Sequence, residues 1–251
     1  MKKKIINIFL LLIFSNFFLV KDIKSNSKYV SNSLIPNDLS NKKFLKGDIY
    51  KLKVNRNNLK KLLSLLKKYD LKNAPKKNII DGKIIYKYKR SLNEPKKTIK
   101  ELENLIKNPE DTTKYEKFII RSFLYLSTNG INIYIQELNS NGPSALWSHG
   151  NKSIFINKRS LENGTANFAY LLSHEMIHVS QSCKAGAFDA YPVLIGLNIF
   201  NPKEKYKKNL ENVIYKDLTE EQIMLEIEAY ANQEKLLNTI EIFKNFCLKL
   251  K

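Results

Sequence analysis

Of the three histidines in the chain, two fall in the run His174-Glu175-Met176-Ile177-His178. On a helix, residues four apart project from one face on successive turns, so both imidazoles reach a single metal ion. Glu175 lies one residue on, about 100° around the helix, beside that ion without binding it. A carboxylate so placed takes a proton from a metal-held water, and zinc lowers that water's pKa to roughly 7. The spacing therefore predicts a zinc site with His174 and His178 as ligands and Glu175 as general base. The chemistry expected is hydrolysis.

Two short strands followed by a helix bearing His-Glu-x-x-His are similar to the core of the zincin metallopeptidases. Further on, Glu226-Ile227-Glu228-Ala229-Tyr230 resembles the downstream helix of the gluzincin branch, whose third ligand is a Glu. The resemblance covers about residues 131 to 240. It implies an α+β, zincin-like core with a small sheet, an active-site helix and a C-terminal ligand helix. It further implies zinc, a peptide or protein substrate, and peptide-bond hydrolysis. It also makes the strand from Ser153 to Lys158 the edge along which an extended peptide pairs. Gln181 stands where the metzincin pattern has Gly, and no His follows His178, which sets that branch aside.

Glu226 and Glu228 point roughly 200° apart on one helix, so they cannot share the ligand role. Glu226 keeps company with Ile223, Ala229, Tyr230 and Leu237, a stripe that must pack against the body. Glu228 falls with Asn232, Lys235 and Thr239, which reads as a solvated face. A carboxylate on a packed stripe needs compensation, and a metal ion facing it supplies that, so Glu226 is the expected ligand. Three softer candidates remain. His149, in Trp147-Ser148-His149-Gly150, is either the third ligand, a transition-state donor or a surface histidine. Tyr191 and Tyr230 are either donors to an oxyanion or ordinary half-buried tyrosines.

These residues need elements to hold them. Ile131, Ile133 and Ile135 alternate with polar neighbours, the pattern of a strand buried on one face, and Ser153 to Lys158 forms a second. Asn163-Gly164-Thr165 opens the histidine helix, which runs to about Cys183. A last helix begins at Thr219, where Thr219-x-x-Gln222 fits a capping box, and is expected to continue to near Lys249. Upstream, amphipathic spacing predicts helices over Asn57–Tyr69, Thr98–Asn108 and Thr113–Ser127, the last stopped by Asn129-Gly130. Asp81-Gly82 marks a turn before a strand from Lys83 to Lys89.

Three lysines precede an apolar run from Ile5 to Val20, the form of a secretory signal, with no Ala-x-Ala cleavage pattern after it. Residues 1–25 therefore read as a signal peptide, or as an uncleaved N-terminal anchor that attaches the chain to a membrane. Residues 26–130 read as a Lys-rich, mainly helical region and 131–251 as the catalytic core. Export to the periplasm or beyond makes a Cys183–Cys247 disulfide expected, since an oxidising space favours it. The formal charge is +19, yet the arginines are only Arg56, Arg90, Arg121 and Arg159. Arg is the residue that grips phosphates and base edges in a fork, so no specific nucleic-acid partner is expected. Two other readings of the chain differ in class. One is an exported zinc protein without turnover, the other a basic surface-binding module with a vestigial site.

Overall fold

Apolar spacing sets the first helices. Helix α1 (Arg56–Asn73) buries Leu59, Leu62 and Leu66 and leaves Lys60, Lys61 and Lys67 outside. Helix α2 (Ile99–Lys107) starts at a capping box, in which Thr98 Oγ1 accepts from Glu101 N while Glu101 Oε2 accepts from Thr98 N. Helix α3 (Thr113–Thr128) stops before Gly130, whose φ of 75° is the left-handed conformation a side chain would resist. The structure, a computed structural model, describes residues 50–51, 56–90, 95–136, 143–199, 206–207, 210–211 and 218–250. For residues 50–51 and 56–57 it describes the backbone alone. The apolar segment of residues 1–25, and with it the expected signal or anchor, lies outside the described residues. Among those residues, no helix is long and apolar enough to cross a membrane.

The fold is mixed α+β, mostly helical with small sheets. Strands β1 (Tyr50–Lys51), β4 (Asn132–Gln136), β5 (Ala145–Ser148) and β6 (Ser153–Asn157) form a four-stranded sheet in the order β1-β4-β6-β5. β4 and β6 run parallel, with Ile133 opposite Ile154, while β5 runs antiparallel to β6, with Trp147 opposite Ile154. This corrects one expectation. The strand from Ser153 is interior, paired on both sides, and its neighbour, the four-residue β5, is one of the two edges of this sheet, β1 being the other. Apart from this sheet, β2 (Lys76–Ile80) and β3 (Lys83–Lys87) make a two-stranded ribbon around the Asp81-Gly82 turn, with Ile79, Ile80, Ile84 and Ile85 exposed on it.

Helix α4 (Gly164–Lys184) carries the histidines and is buried on every side from Phe168 to Val179 apart from Tyr170 and Leu171. Small residues let neighbours come close all round it: α1, α3 and β5 pack on it, as do α5 (Glu220–Asn232) and α6 (Leu236–Cys247). One core joins α1 and α3 to the sheet, to α4 and to α6, with Phe123, Phe168 and Phe243 wholly buried in it. Asp70 of α1 caps the start of α4, accepting from Thr165 N at 2.8 Å and from Thr165 Oγ1 at 2.5 Å. Gly164 is needed there, because its φ is 85° and a Cβ would meet Asp70 Oδ1 at 2.1 Å.

The last helix is not continuous to Lys249. It stops at Asn232 and restarts at Leu236, and a short 3-10 turn (Leu248–Leu250) follows α6. The capping box at Thr219 and Gln222 is present as expected. At the break, the side chain of Asn232 donates to Glu228 O at 2.8 Å and to Asn198 O at 3.1 Å, and Lys235 takes a non-helical conformation. Polar side chains that bond to backbone compete with the helix, and here they end it. Cys183 and Cys247 are disulfide-bonded, with Cα atoms 5.0 Å apart, tying the end of α4 to the end of α6.

Candidate metal centre

Because α4 is helical throughout, His174 and His178 do face one way, and α5 brings Glu226 against them. The ligand atoms lie close on all three sides. His174 Nε2 is 3.0 Å from His178 Nε2 and 3.2 Å from Glu226 Oε2, and His178 Nε2 is 3.4 Å from Glu226 Oε1. All three residues are buried or nearly so, and together they make a group that could bind a metal ion. Glu226 Oε2 is buried without a hydrogen bond, in spite of its nearness to His174. A carboxylate oxygen left so is costly unless a cation faces it.

The histidine hydrogens can be assigned from their partners. Gln181 donates through Nε2 to Leu225 O at 3.2 Å and to Glu228 Oε2 at 2.9 Å, so its Oε1 is the atom facing His178 Nδ1 at 2.8 Å. That oxygen only accepts, so Nδ1 carries a hydrogen and Nε2 is turned to the cluster. His174 Nδ1 is held in the same manner by Gln233 Oε1 at 3.0 Å, and Gln233 in turn bonds Tyr206, whose hydroxyl donates to Glu234. Both rings are thereby oriented by carboxamides, as second partners orient metal-ligating histidines.

Electrostatics inside the cluster follow from burial and from three charges in a small volume. For His178, burial is the strongest influence and works downward, but the Glu226 carboxylate outweighs it and the pKa is raised to about 9. For Glu226, burial works upward, and the two imidazoles overcome it and hold the carboxyl well below the usual range. Burial pushes Glu175 up, with His174 and His178 working against it. The backbone of Trp147 bonds the Glu175 carboxylate. Geometry shows why it can. Asn157 N donates to Ser144 O, so Ser144 and Leu146 are the bonded positions of β5 and the Trp147 N–H faces the open edge. Trp147 is fixed from its other end as well, its indole donating to Ser182 Oγ at 3.0 Å on α4.

His174, His178, Glu175 and Glu226 are thus brought together. His149 is not among them: its Nδ1 lies 3.1 Å from Asp189 O, and its ring meets the exposed Tyr191 edge-on at 5.7 Å. Tyr230 does stand at the cluster, its ring 4.5 Å from that of His174 and stacked on Tyr206. Glu228 requires a correction. It is wholly buried, as is Thr239, and Asn232 is nearly so, whereas Leu237 is 72% exposed. The helix break destroys the register that put Leu237 on the packed stripe, and four donors compensate the Glu228 charge. The sequence reading missed Gln181, Gln233 and Tyr206. Only Gln181 left a trace, three residues after His178 on the same helix face. Compared with protein-family models, with curated proteins and with solved structures, the chain has no match in any of the three.

Proposed function

We propose that this protein is an exported zinc metallohydrolase that cleaves peptide bonds. The observation that carries the reading is the convergence of His174 Nε2, His178 Nε2 and Glu226 at 3.0–3.4 Å. A tetrahedral ion with bonds of about 2.0–2.1 Å sets its ligands about 3.3 Å apart, and two imidazoles with a carboxylate make a common catalytic zinc set with one position left open. The Glu226 oxygen without a hydrogen bond supports the same assignment. Both Nδ1 atoms are tied to glutamine oxygens, which leaves both Nε2 lone pairs for an ion.

A zinc ion held there would act as a Lewis acid and make water a nucleophile near neutral pH. The residues divide the remaining work. His174, His178 and Glu226 hold the ion, and Gln181 and Gln233 keep the rings turned to it. Glu175, its pKa raised by burial, accepts the proton of the attacking water and passes it to the leaving amine. The Trp147 N–H steadies the Glu175 carboxylate, so the base and the open edge of β5 are fixed in one frame. That edge is the place where an extended peptide would pair, alongside the base that acts on it. Tyr230, beside His174, is the better placed of the two tyrosines to steady negative charge on the substrate. The Cys183–Cys247 disulfide supports export to an oxidising space.

The test is metal content with turnover. Purified wild-type protein should hold close to one zinc per chain, lost in His174→Ala and His178→Ala. Glu175→Gln should keep the metal and lower hydrolysis of unfolded protein substrates by roughly 10²–10⁴-fold. Wild-type protein without stoichiometric zinc under non-chelating conditions sinks the proposal. Full zinc without turnover would favour the non-catalytic zinc protein instead.

A further inference from the structure

Glu228 is a charged side chain with no exposure to water, two residues from the proposed ligand, and it is not a ligand itself. Its carboxylate accepts from Gln181 Nε2 and Ile195 N, each at 2.9 Å, on Oε2. On Oε1 it accepts from Gly196 N at 2.8 Å and Leu197 N at 2.7 Å. A carboxylate has about four lone-pair sites, so these bonds use its capacity and offset the cost of burying the charge.

We propose that Glu228 is a positioning residue of the metal centre. By fixing the amide of Gln181 it decides which nitrogen of His178 carries hydrogen, and through the same carboxylate it joins that choice to the backbone of Ile195–Leu197. The inference rests on the zinc reading for its purpose, though not for its geometry. A glutamine can offer an imidazole either its oxygen or its NH₂. Here the NH₂ has two acceptors, Leu225 O and Glu228 Oε2, and a carboxylate cannot donate to an oxygen turned toward it. Gln181 therefore presents Oε1 to His178, Nδ1 must hold the hydrogen, and Nε2 is left for the ion. An amide flip would present hydrogens to Nδ1, move the ring proton to Nε2 and aim it at the metal position. Glu228 and Leu225 O both oppose that flip, and Glu228 is the side chain and the shorter bond of the two.

Glu228→Gln puts an NH₂ where an acceptor stood, facing donors from Gln181 or from the 195–197 backbone. The double variant Gln181→Glu/Glu228→Gln restores an acceptor to His178 and a donor to residue 181, but leaves residue 228 one oxygen for its backbone donors and takes the donor of Leu225 O away. In metal-free protein, made alkaline until the ring is neutral by its own ¹⁵N shifts, NMR reports the tautomer of His178. Wild type should show the Nδ1–H form, Glu228→Gln a shift toward Nε2–H, and the double variant a return. Zinc affinity, by chelator competition, should fall about 10–100-fold in Glu228→Gln and largely recover in the double variant. Amide exchange at residues 195–197 should be faster than in wild type in both variants. An unchanged tautomer and affinity in Glu228→Gln overturn the proposal, as does a double variant whose tautomer does not return to the Nδ1–H form. If Glu228→Gln does not fold, Gln181→Met breaks the chain in its middle and must give the same tautomer shift. Wild-type protein that binds no zinc refutes the metal reading, and the tautomer measurement then judges this one alone.

Discussion

Zinc binding should release a proton from His178, and the amount can be worked from the cluster. With a pKa of about 9, His178 in the metal-free protein is about 99% protonated at pH 7, half protonated at pH 9 and about 10% protonated at pH 10. A ligand nitrogen must be bare, so binding at pH 7 expels close to one proton from this ring. Apparent zinc affinity should then rise about tenfold per pH unit up to 9 and level off above it. The perturbation is Glu226→Gln. Without that carboxylate, burial is the dominant influence left on His178, and its pKa returns to the ordinary value of about 6.5 or below. At pH 7 the proton expelled from the ring then falls from about one to about a quarter or less. Calorimetry in two buffers of different ionisation heat counts the protons. The variant lacks a ligand as well, so zinc is raised until its weaker site fills before the two counts are compared. Release no larger in wild type than in Glu226→Gln refutes the reasoning. The same shift bears on metal-free stability. A histidine raised above its unfolded value stabilises the fold fully below about pH 6.5, and that contribution, about 3 kcal/mol at most, is lost as pH rises through about 9. The attraction also appears on Glu226 and counts once.

Replacing Cys183 and Cys247 by Ser should lower stability by about 4 kcal/mol, from a closed loop of 64 residues, and lower Tm by roughly 10 °C in scanning calorimetry. A loss under 1 kcal/mol would mean that packing alone holds α4 to α6. Gly164→Ala should cost more than about 1 kcal/mol in urea unfolding, since its positive φ and the 2.1 Å approach of Asp70 Oδ1 leave no room for a methyl group. A neutral substitution would show that the α4 cap yields freely.

How much of this was legible in the sequence depends on how local each determinant is. The pairing of His174 with His178 follows from the helical period, and nothing elsewhere in the chain can alter it. The Thr219 and Gln222 cap is local in the same way, and both were read correctly. Glu226 was preferred over Glu228 for a reason that holds in one part and fails in another. Ala229 is buried as argued, but the stripe was carried to Leu237 across Gln233–Lys235, where the helix stops. A burial argument from a helical wheel is only as good as the helix is continuous. The face of Glu228 looked solvated because its compensating donors, Ile195 to Leu197, sit about 30 residues away in sequence and are backbone groups that leave no mark on composition. The edge strand β5 was hidden for a related cause. Ala-Leu-Trp-Ser has too few residues to show alternation, and strand order is a matter of partners chosen across the chain.

The β2–β3 ribbon has consequences for how the molecule behaves in crowded solution. Among the described residues neither long margin of this ribbon has a neighbouring strand, and isoleucines project from it into water, Ile79 with 73% of its surface exposed. Such a ribbon is a template on which a second ribbon can assemble. Lys76, Lys77, Lys83 and Lys87 flank the isoleucine pairs on the two strands, so two copies approaching in register bring like charges together before the apolar groups touch. The barrier is electrostatic and therefore has a range, about 10 Å at about 0.1 M salt and about 3 Å in molar salt. Colloidal stability of this protein is thus a function of ionic strength. Concentrating it in high salt removes the repulsion between ribbons and strengthens the attraction of the isoleucines.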